Sequence, residues 1–551
     1  MNPNPSPNYN VIKGLQVFIN DIRSCNTKES EVKRVEKELN KIRERFQAGK
    51  ALTGYEKKKC VWKLVYIYIL GYNVDFGHNY AADLITSMKF SEKLTGYISM
   101  SILFKDNNPE LNIMINSIRN DLLNSNALCQ SMALTLATNI CNPELLSAIS
   151  NDVLKFMTNF SEKQFYTVKK AMMCLIKIMK QKKEIHSVLW SKHLMKIIEM
   201  KNFEVLLAVS ALVLNIFKTF GTAGYEELAL KFFNNILYKM KECPEDYIYY
   251  HIKSPWLQIK ILKIIQHISP NVFDQITLNH IKEYIDYVAK KTNLIAGSDT
   301  RQSRFYADYC IFFEIVNLID HLNLKLHHKT FDTFVNILGV LLIDDHRKHP
   351  NKDVNTKYLA LDGLAKLSKY THGNKIMKEH SNIIIISLRD NDISIRRRAL
   401  DLLFLVCTGD SVKMVCKELL LYLKEDEPQL KEDISLKLAI LAEKFASDYI
   451  WYIDVCLKML ELAGDYVTDD VIYRFVQIVV GFEGQEANTL LQIYACEKLL
   501  KLLEKEYVYD NLVKLAAMIL GEFGYYLSEA GVNTGVSGIF YIKSYFNRIQ
   551  R

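Results

Sequence analysis

KAMMCLIKIM, at residues 170–179, is the stretch that decides the fold: an apolar run of helix-forming residues around the short side chain of Ala171. Runs of the same design are SMALTLATNI at 131–140 and VSALVLNIF at 209–217, and their alanines stand 38 residues before and 40 residues after Ala171. The spacing recurs downstream, with steps of 39 and 40 residues, at Ala360, Ala399 and Ala439. A repeat of about 40 residues that holds two helices predicts an all-α solenoid of the HEAT or armadillo type.

Length and composition agree with such repeats. The chain has 551 residues, of which 49% are hydrophobic and 24% are charged, so it contains enough apolar material for an ordered structure. A globular chain of this length would divide into roughly three or four domains, whereas each repeat of a solenoid buries its apolar face against its neighbours. Only 10 prolines and 21 glycines interrupt the chain, and no alternating segment is long enough to predict a sheet.

Capping signals mark several helix boundaries. Asn142 precedes Pro143, which predicts a helix that starts at the proline, and Asp392 can cap the helix that carries three consecutive arginines. We expect irregular segments between repeats at 292–303, 344–355 and 531–538. The predicted domain organisation is a disordered extension over 1–10 followed by helical repeats over 11–551.

The sequence carries no pattern that would predict catalysis. Phosphate-binding loops and the GxGxxG, HExxH and GxSxG motifs are absent, and the 13 histidines and 11 cysteines form no ligand-spaced set. We therefore expect no enzyme activity, no metal and no cofactor. The amino end is too polar for a secretory signal, and the strongest apolar run, at 60–70, is shorter than the ~20 residues of a membrane span. A cytosolic protein is predicted.

Basic residues gather near the amino end, although the formal net charge of +8 is only a mild excess. Gly54 interrupts the preceding pattern, and an apolar helix is predicted over about 60–70, which places Lys57, Lys58 and Lys59 in its first turn. Cations are unfavourable there by about 0.3–1 kcal/mol each, because the helix dipole and the unpaired N–H groups favour negative charge.

An anion at this position would meet lysines, free backbone donors and the positive end of the helix dipole together, which is how proteins bind phosphate groups. Three interpretations stay open from the residues alone: binding of membrane phosphoinositides, a solvated basic turn, and a nucleic-acid contact. Nucleic acid is the least favoured, since no longer basic stripe with interleaved aromatic residues follows. The lysines of the next helix upstream, Lys33, Lys37 and Lys41, are interpreted as a solvated face.

Four stretches near the amino end, GLQVFINDIRSC, KRVEKELNKIRERF, GYEKKKCVWKL and GYNVDFGH, occur in the same order in a known family. Together with KYLALDGLAKL, NDISIRRRALDLLF and AGDYVTDDVIYRFVQIV, they resemble the alpha-type large chains of the plasma-membrane clathrin adaptor, over about residues 13–524. The hinge and ear that follow the trunk in that family have no counterpart here, so the expected structure is an adaptin trunk alone.

The resemblance implies partners and a location. It implies a heterotetramer with a beta-type large chain, a medium chain and a small chain, which selects cargo by its sorting signals and reaches the clathrin coat indirectly. It also implies attachment to phosphatidylinositol bisphosphate on the cytosolic face of the plasma membrane, in coated pits, with no nucleic-acid partner.

The resemblance also implies particular site residues. The family's phosphoinositide contacts match Lys57, Lys58, Lys59 and Lys63, with Tyr55 beside them. Lys13 and Lys50 stand at or near further basic positions of the family, and Gln47 replaces one of them. Arg23 matches the arginine that helps to receive the acidic residue of dileucine sorting signals. From the sequence alone, Arg23 is an ordinary cation at the end of a helix.

Two alternatives remain. The chain could be a large subunit of another adaptor complex, of the gamma, delta or epsilon type, that sorts cargo at the trans-Golgi network or endosomes. It could instead be a soluble helical-repeat protein that binds peptides and has no membrane role.

Overall fold

The computed structural model describes residues 13–47, 52–108, 110–158, 164–181, 190–199, 202–238, 243–296, 302–343, 354–370, 374–424, 428–446, 448–481, 489–505 and 507–529. Contacts divide the chain into two compact units, Met1–Ile281 and Lys282–Arg551. Both units are built from α-helices, and the long helix α14 (Gln275–Ala296) crosses the boundary in sequence.

The described residues of the first unit begin with thirteen α-helices. They are α1 (Lys13–Arg23), α2 (Lys28–Gln47), α3 (Gly54–Ile69), α4 (His78–Ile85), α5 (Phe90–Leu103), α6 (Glu110–Leu123), α7 (Ala127–Asn139), α8 (Pro143–Thr158), α9 (Phe165–Gln181), α10 (Trp190–Glu199), α11 (Phe203–Phe220), α12 (Glu226–Lys231) and α13 (Pro255–Gln266). A short π-helical turn, Phe232–Leu237, follows α12. A two-stranded hairpin of β1 (Ile248–Tyr249) and β2 (Ile252–Lys253) precedes α13.

The second unit continues the pattern. Its helices are α15 (Gln302–Leu322), α16 (His328–Leu342), α17 (Val354–Leu367), α18 (Asn374–Ser387), α19 (Ile393–Val406), α20 (Val412–Leu423), α21 (Lys431–Lys444), α22 (Tyr449–Ala463), α23 (Asp469–Val480), α24 (Thr489–Leu503), α25 (Asp510–Phe523) and α26 (Tyr526–Glu529).

Many helices pack against the next helix or against the one after it. In the first unit α3, α5, α7, α9, α11 and α13 contact one another in that order, and α4, α6, α8, α10 and α12 form a second row. In the second unit α15, α17, α19 and α21 repeat the arrangement. Two rows of helices that alternate along the chain are the architecture of helical repeats, which confirms the predicted α-solenoid.

The small residues of the 40-residue pattern lie between the rows, with one exception. Ala133, Ala171 and Ala399 are fully buried, whereas Ala211 is partly exposed on the outer side of α11. Ser210 takes the buried position instead, 39 residues after Ala171. The pattern in the sequence therefore gave the right period but the wrong residue in α11, because the run VSALV offers two adjacent small side chains.

The predicted caps are confirmed, and the predicted irregular segments are only partly right. The Asn142 side chain accepts a hydrogen bond from the N–H of Leu145 at 2.8 Å, and Asp392 accepts one from the N–H of Ser394 at 2.7 Å. Helix α14 continues to Ala296 and α15 begins at Gln302, so the ends of segment 292–303 are helical. Helix α17 begins at Val354, so the end of segment 344–355 is helical too, and 344–353 lie outside the described residues. Segments 1–10 and 531–538 lie outside the described residues, and the hairpin β1–β2 was not predicted.

The strongest apolar helix is α11 rather than residues 60–70, so that prediction is wrong. Among the described residues, Phe203–Phe220 alone is long and apolar enough to span a membrane by length and composition, with a mean hydropathy of 1.8 over 18 residues. Most of it is buried against α9 and α13, as expected for a core helix.

A close approach of one helix to the backbone of another predicts a stability change at Gly96. A methyl group on Gly96 of α5 would stand 2.8 Å from the backbone nitrogen of Ile85 at the end of α4. We expect Gly96→Ala to lower the free energy of unfolding by about 1–3 kcal/mol, since backbone atoms yield less easily than side chains. Thermal unfolding followed by circular dichroism measures the change.

Gly521→Ala is the matched control, because Gly521 also lies within a helix but has no atom within 4 Å of an added methyl group. It should stabilise the chain by about 0.5–1 kcal/mol through helix propensity. A Gly96→Ala protein that melts as high as the control would contradict the close packing of α4 and α5.

Candidate functional site

The basic cluster at the amino end is carried by α3, which begins earlier than predicted. The N-cap is Thr53: its side chain accepts a hydrogen bond from the N–H of Glu56, and the Glu56 carboxylate accepts one from the N–H of Thr53 at 3.0 Å. This capping box satisfies donors of the first turn and supplies the acidic residue that the helix dipole favours. The predicted start near residue 60 is therefore wrong.

The three consecutive lysines consequently stand in the second turn of α3, beyond the free donors that the sequence predicted beside them. Thr53 and Glu56 are spaced three apart, as a capping box requires, and this signal was available in the sequence. The cluster must therefore act through its ammonium groups, with little help from the helix terminus.

Lys57 faces α4. Its ammonium lies 3.0 Å from a carboxylate oxygen of Asp83 and 5.8 Å from the centre of the Tyr80 ring. The Asp83 side chain is more than half exposed, so the pair is at the surface and contributes little to stability. An incoming anion can compete with Asp83 for the Lys57 ammonium.

Lys59 faces the start of α1. A methyl group placed on Gly14 would stand 2.2 Å from Cε of Lys59, so the Lys59 stem lies directly over the Gly14 backbone. Lys13, the neighbour of Gly14, is exposed. The packing of α1 on α3 thus brings Lys13 and Lys59, which are 46 residues apart in sequence, to one part of the surface.

Lys58 and Tyr55 complete this surface. Lys58 is partly exposed and has no ion pair within the part of the chain that the structure describes. Tyr55, one turn earlier, is 55% exposed. We call Lys13, Tyr55, Lys57, Lys58 and Lys59 the amino-terminal basic patch.

Lys63 does not belong to this patch, because its side chain points into the protein. Only 7% of the residue is exposed, and its ammonium forms an ion pair with the Glu38 carboxylate of α2. Position 63 lies on the apolar side of α3 with Cys60 and Ile67, both of which are also buried. The structure therefore separates Lys63 from the lysines that the sequence grouped with it.

Glu38 is the centre of a buried network that joins the first three helices. Its second oxygen lies 2.8 Å from the guanidinium of Arg34, which also lies 2.8 Å from Asp21 of α1. Arg34 and Lys63 both approach the face of the Phe18 ring, at 4.9 and 5.7 Å from its centre. Side chains of three helices thus form ion pairs around one buried carboxylate.

The pKa of Glu38 reflects this network. Burial alone would raise the pKa of the carboxyl, but hydrogen bonds from Lys63 and Arg34 outweigh burial and hold it below the ordinary value of 4.5. A carboxyl whose pKa falls on folding stabilises the folded state above its unfolded pKa, and this stabilisation is lost as the pH falls through the folded pKa. The network therefore weakens in acid.

Arg45 is a cation near the patch that the sequence reasoning missed. It lies in the last turn of α2, close enough to the Cys60 thiol to affect its pKa. Burial raises the pKa of that thiol, and Arg45 opposes the rise. No local motif marks Arg45, since its position depends on how α2 packs across α3. Lys50 lies outside the described residues.

Arg23 stands apart from the patch. It is exposed in the last turn of α1, ten residues from Lys13, which corresponds to about 15 Å along the helix. Asp21 precedes it by two residues and is engaged by Arg34. The same short helix therefore presents one cation at each end.

The fold and this amino-terminal arrangement define a helical-repeat protein with a basic end. The sequence profile described as "Adaptin N terminal region" matches residues 31–550, and the chain belongs to this adaptin N-terminal family.

Relatives of known identity agree on one type. AP-2 complex subunit alpha-1 of Arabidopsis thaliana is 36% identical over 521 residues, which are 94% of this chain and 49% of the relative. AP-2 complex subunit alpha-2 of Dictyostelium discoideum is 34% identical over 540 residues, 96% of this chain and 52% of the relative. AP-2 complex subunit alpha of Schizosaccharomyces pombe is 32% identical over 529 residues, which are 94% of this chain and 57% of the relative. The chain spans about half the length of these relatives.

The buried network yields a prediction for Glu38. Glu38→Leu leaves the buried ammonium of Lys63 without its partner, so the free energy of unfolding should fall by about 3–5 kcal/mol. The double variant Glu38→Leu/Lys63→Met removes the stranded charge as well and should recover most of the loss. Urea unfolding at neutral pH measures both, and equal stability of Glu38→Leu and the native chain would refute the network.

Proposed function

We propose that this chain is the trunk of a clathrin-adaptor large subunit that scaffolds a heterotetrameric adaptor, binds phosphoinositide through the amino-terminal basic patch and helps to recognise dileucine-type cargo signals. Membership in the adaptin N-terminal family and the similarity to AP-2 complex alpha subunits support the scaffold role. The observation that carries the lipid role is the approach of Lys59 of α3 to the start of α1, beside exposed Lys13, with Lys57 and Lys58 next to Lys59 on α3.

The chemistry of the patch suits a multiply phosphorylated headgroup. Lysine ammonium groups bind phosphate as compact, strongly hydrated charges, and each one near an anionic leaflet contributes about 1 kcal/mol. Tyr55 adds a hydroxyl donor on the same side of α3, one turn before Lys58 and Lys59. The headgroup displaces Asp83 from Lys57, while Lys63 remains inside and holds the helices in register through Glu38.

The cargo role rests on Arg23. An exposed guanidinium at the end of α1 can pair with a carboxylate of a sorting signal, and the fixed fork of the guanidinium favours bidentate contact. Because Arg23 and Lys13 share α1, a membrane bound at one end of the helix and a cargo peptide at the other would be held by the same rigid element.

Assembly and location follow from this proposal. The partners are beta-type, medium and small adaptor subunits, and the clathrin coat is reached indirectly. The site of action is the cytosolic face of the plasma membrane, and the role is that of a scaffold rather than an enzyme. A gamma-, delta- or epsilon-type subunit of another adaptor complex is the alternative, and the identity of co-purifying subunits distinguishes these types.

Vesicle binding tests the lipid role. The variant Lys57→Glu/Lys58→Glu/Lys59→Glu should lose co-sedimentation with vesicles that contain phosphatidylinositol bisphosphate, since each reversed charge removes about 1 kcal/mol of attraction, or about fivefold in affinity, and adds repulsion. Helicity should be retained, because the three side chains lie outside the core.

Lys33→Glu/Lys37→Glu/Lys41→Glu is the matched control, with three exposed lysines of α2 reversed in the same way. This control lowers the net charge equally, so a general charge effect would weaken both variants alike. Equal binding by the native chain and the α3 variant would exclude the patch as the lipid site.

A peptide measurement tests Arg23. Within the assembled complex, Arg23→Ala should weaken binding of a fluorescent peptide with an acidic residue before a dileucine pair by about tenfold or more, the value of one charge-assisted contact. Vesicle binding should be unchanged. Unaltered peptide affinity would remove Arg23 from the proposed cargo site.

A further inference from the structure

Three helices in the middle of the first unit form a second basic surface, separate from the amino-terminal patch. Helices α9, α11 and α13 are neighbours in one row and point the same way. The Lys169 ammonium, in the second turn of α9, lies 3.1 Å from Glu204 in the first turn of α11. The rings of Phe217 and His267, 6.3 Å apart, join the carboxyl ends of α11 and α13.

Charge is distributed unevenly over these helices. Helix α9 contains Lys169, Lys170, Lys177 and Lys180 and no carboxylate, and α13 contains Lys260 and Lys263 and no carboxylate. Helix α11 contains Lys218 and a single carboxylate, Glu204, which Lys169 already holds. The surface therefore carries a clear excess of positive charge.

Helix stability explains only part of this excess. Lys180, Lys218 and Lys263 stand in last turns, where cations complement the helix dipole. Lys177 and Lys260 do not, and neither forms an ion pair within the described residues. Burial lowers the pKa of Lys260, and the nearby Lys263 lowers it further, so Lys260 sits in surroundings that disfavour its charge.

An apolar strip runs between the lysines. The outward positions of α11 are Leu207, Ala211 and Leu214, at the i, i+4 and i+7 spacing, and each is partly exposed. Met173 on α9 borders the strip and is 42% exposed. Ala211, which the repeat pattern wrongly placed at the buried position of α11, has a short side chain. The middle of the strip is therefore shallow. The spacing matches the contacts that one helix makes along another.

We propose that this surface binds an amphipathic helix of a partner protein, with apolar residues on the strip and carboxylates toward the lysines of α9 and α13. The lysines on both sides match a helix with acidic flanks, and the partly exposed strip between them matches its apolar stripe.

A bilayer is less suitable, since its flat surface would meet the lysines of α9 and α13 before the apolar strip of α11. A nucleic acid is also less suitable. The exposed rings of Tyr166 and Trp256 lie in the first turns of α9 and α13, away from Lys177, so nucleic-acid bases would have no aromatic ring to stack on beside Lys177.

The probe is a fluorescein-labelled synthetic helix as long as α11, 18 residues, with leucine at i, i+4 and i+7 positions and glutamate beside them. Fluorescence anisotropy with the 551-residue chain should give saturable binding that weakens with salt. Lys177→Gln/Lys260→Gln should weaken it by about five- to tenfold, which is the loss of two surface ion pairs of ordinary strength. Lys33→Gln/Lys37→Gln, on α2, is the matched control and should leave affinity unchanged.

A second variant, Leu214→Glu, places a carboxylate in the strip and should abolish binding while circular dichroism stays native. Equal peptide affinity for the native chain and Lys177→Gln/Lys260→Gln would overturn the proposal. Displacement of the peptide by phosphatidylserine vesicles, lost in the same double variant, would overturn it in favour of a membrane surface. The vesicle test of the α3 lysines uses other residues, so each proposal can fail without the other.

Discussion

The close approach of neighbouring helices, both within a row and between the rows, is the constraint on which the rest of this structure depends. A helix in either row must bury its face against two neighbours, and this requires short side chains where the rows meet, as at Ala133, Ala171 and Ser210. Gly96 is the extreme case, with room for no side-chain atom beside the backbone of Ile85. The solvent-facing sides of the helices take no part in this packing, so they can carry charged residues and binding surfaces.

At the amino end, ion pairs around one buried carboxylate hold the helices together instead of a long apolar interface. Glu38 pairs with both Lys63 and Arg34, and Arg34 also pairs with Asp21, so one network links the first three helices. Buried ion pairs add little net stability over apolar packing, but they fix register, because a displaced partner leaves a charge unpaired. Fixed register is what brings Lys13 of α1 beside Lys59 of α3.

The sequence predicted the features that repeat or are local. The period of about 40 residues, the caps at Asn142 and Asp392 and the exposed lysines of α2 follow from patterns within one helix or one turn. Burial of Lys63 could not be predicted in this way, since it depends on Glu38, 25 residues away on another helix. The start of α3 could have been predicted, because Thr53 and Glu56 form a capping box in the sequence itself. In α11, only the packing decides between Ser210 and Ala211.

The central claim is that the ammonium groups of Lys58 and Lys59 are accessible to phosphoinositide while Lys63 is enclosed with Glu38. Lysine acetylation followed by mass spectrometry tests it directly, with the free chain and with vesicles that contain phosphatidylinositol bisphosphate. The account predicts rapid labelling of Lys58 and Lys59 in the free chain, protection of both by the vesicles, and no labelling of Lys63 in either state. Labelling of Lys63 as fast as Lys58, or vesicles that protect neither Lys58 nor Lys59, would contradict it.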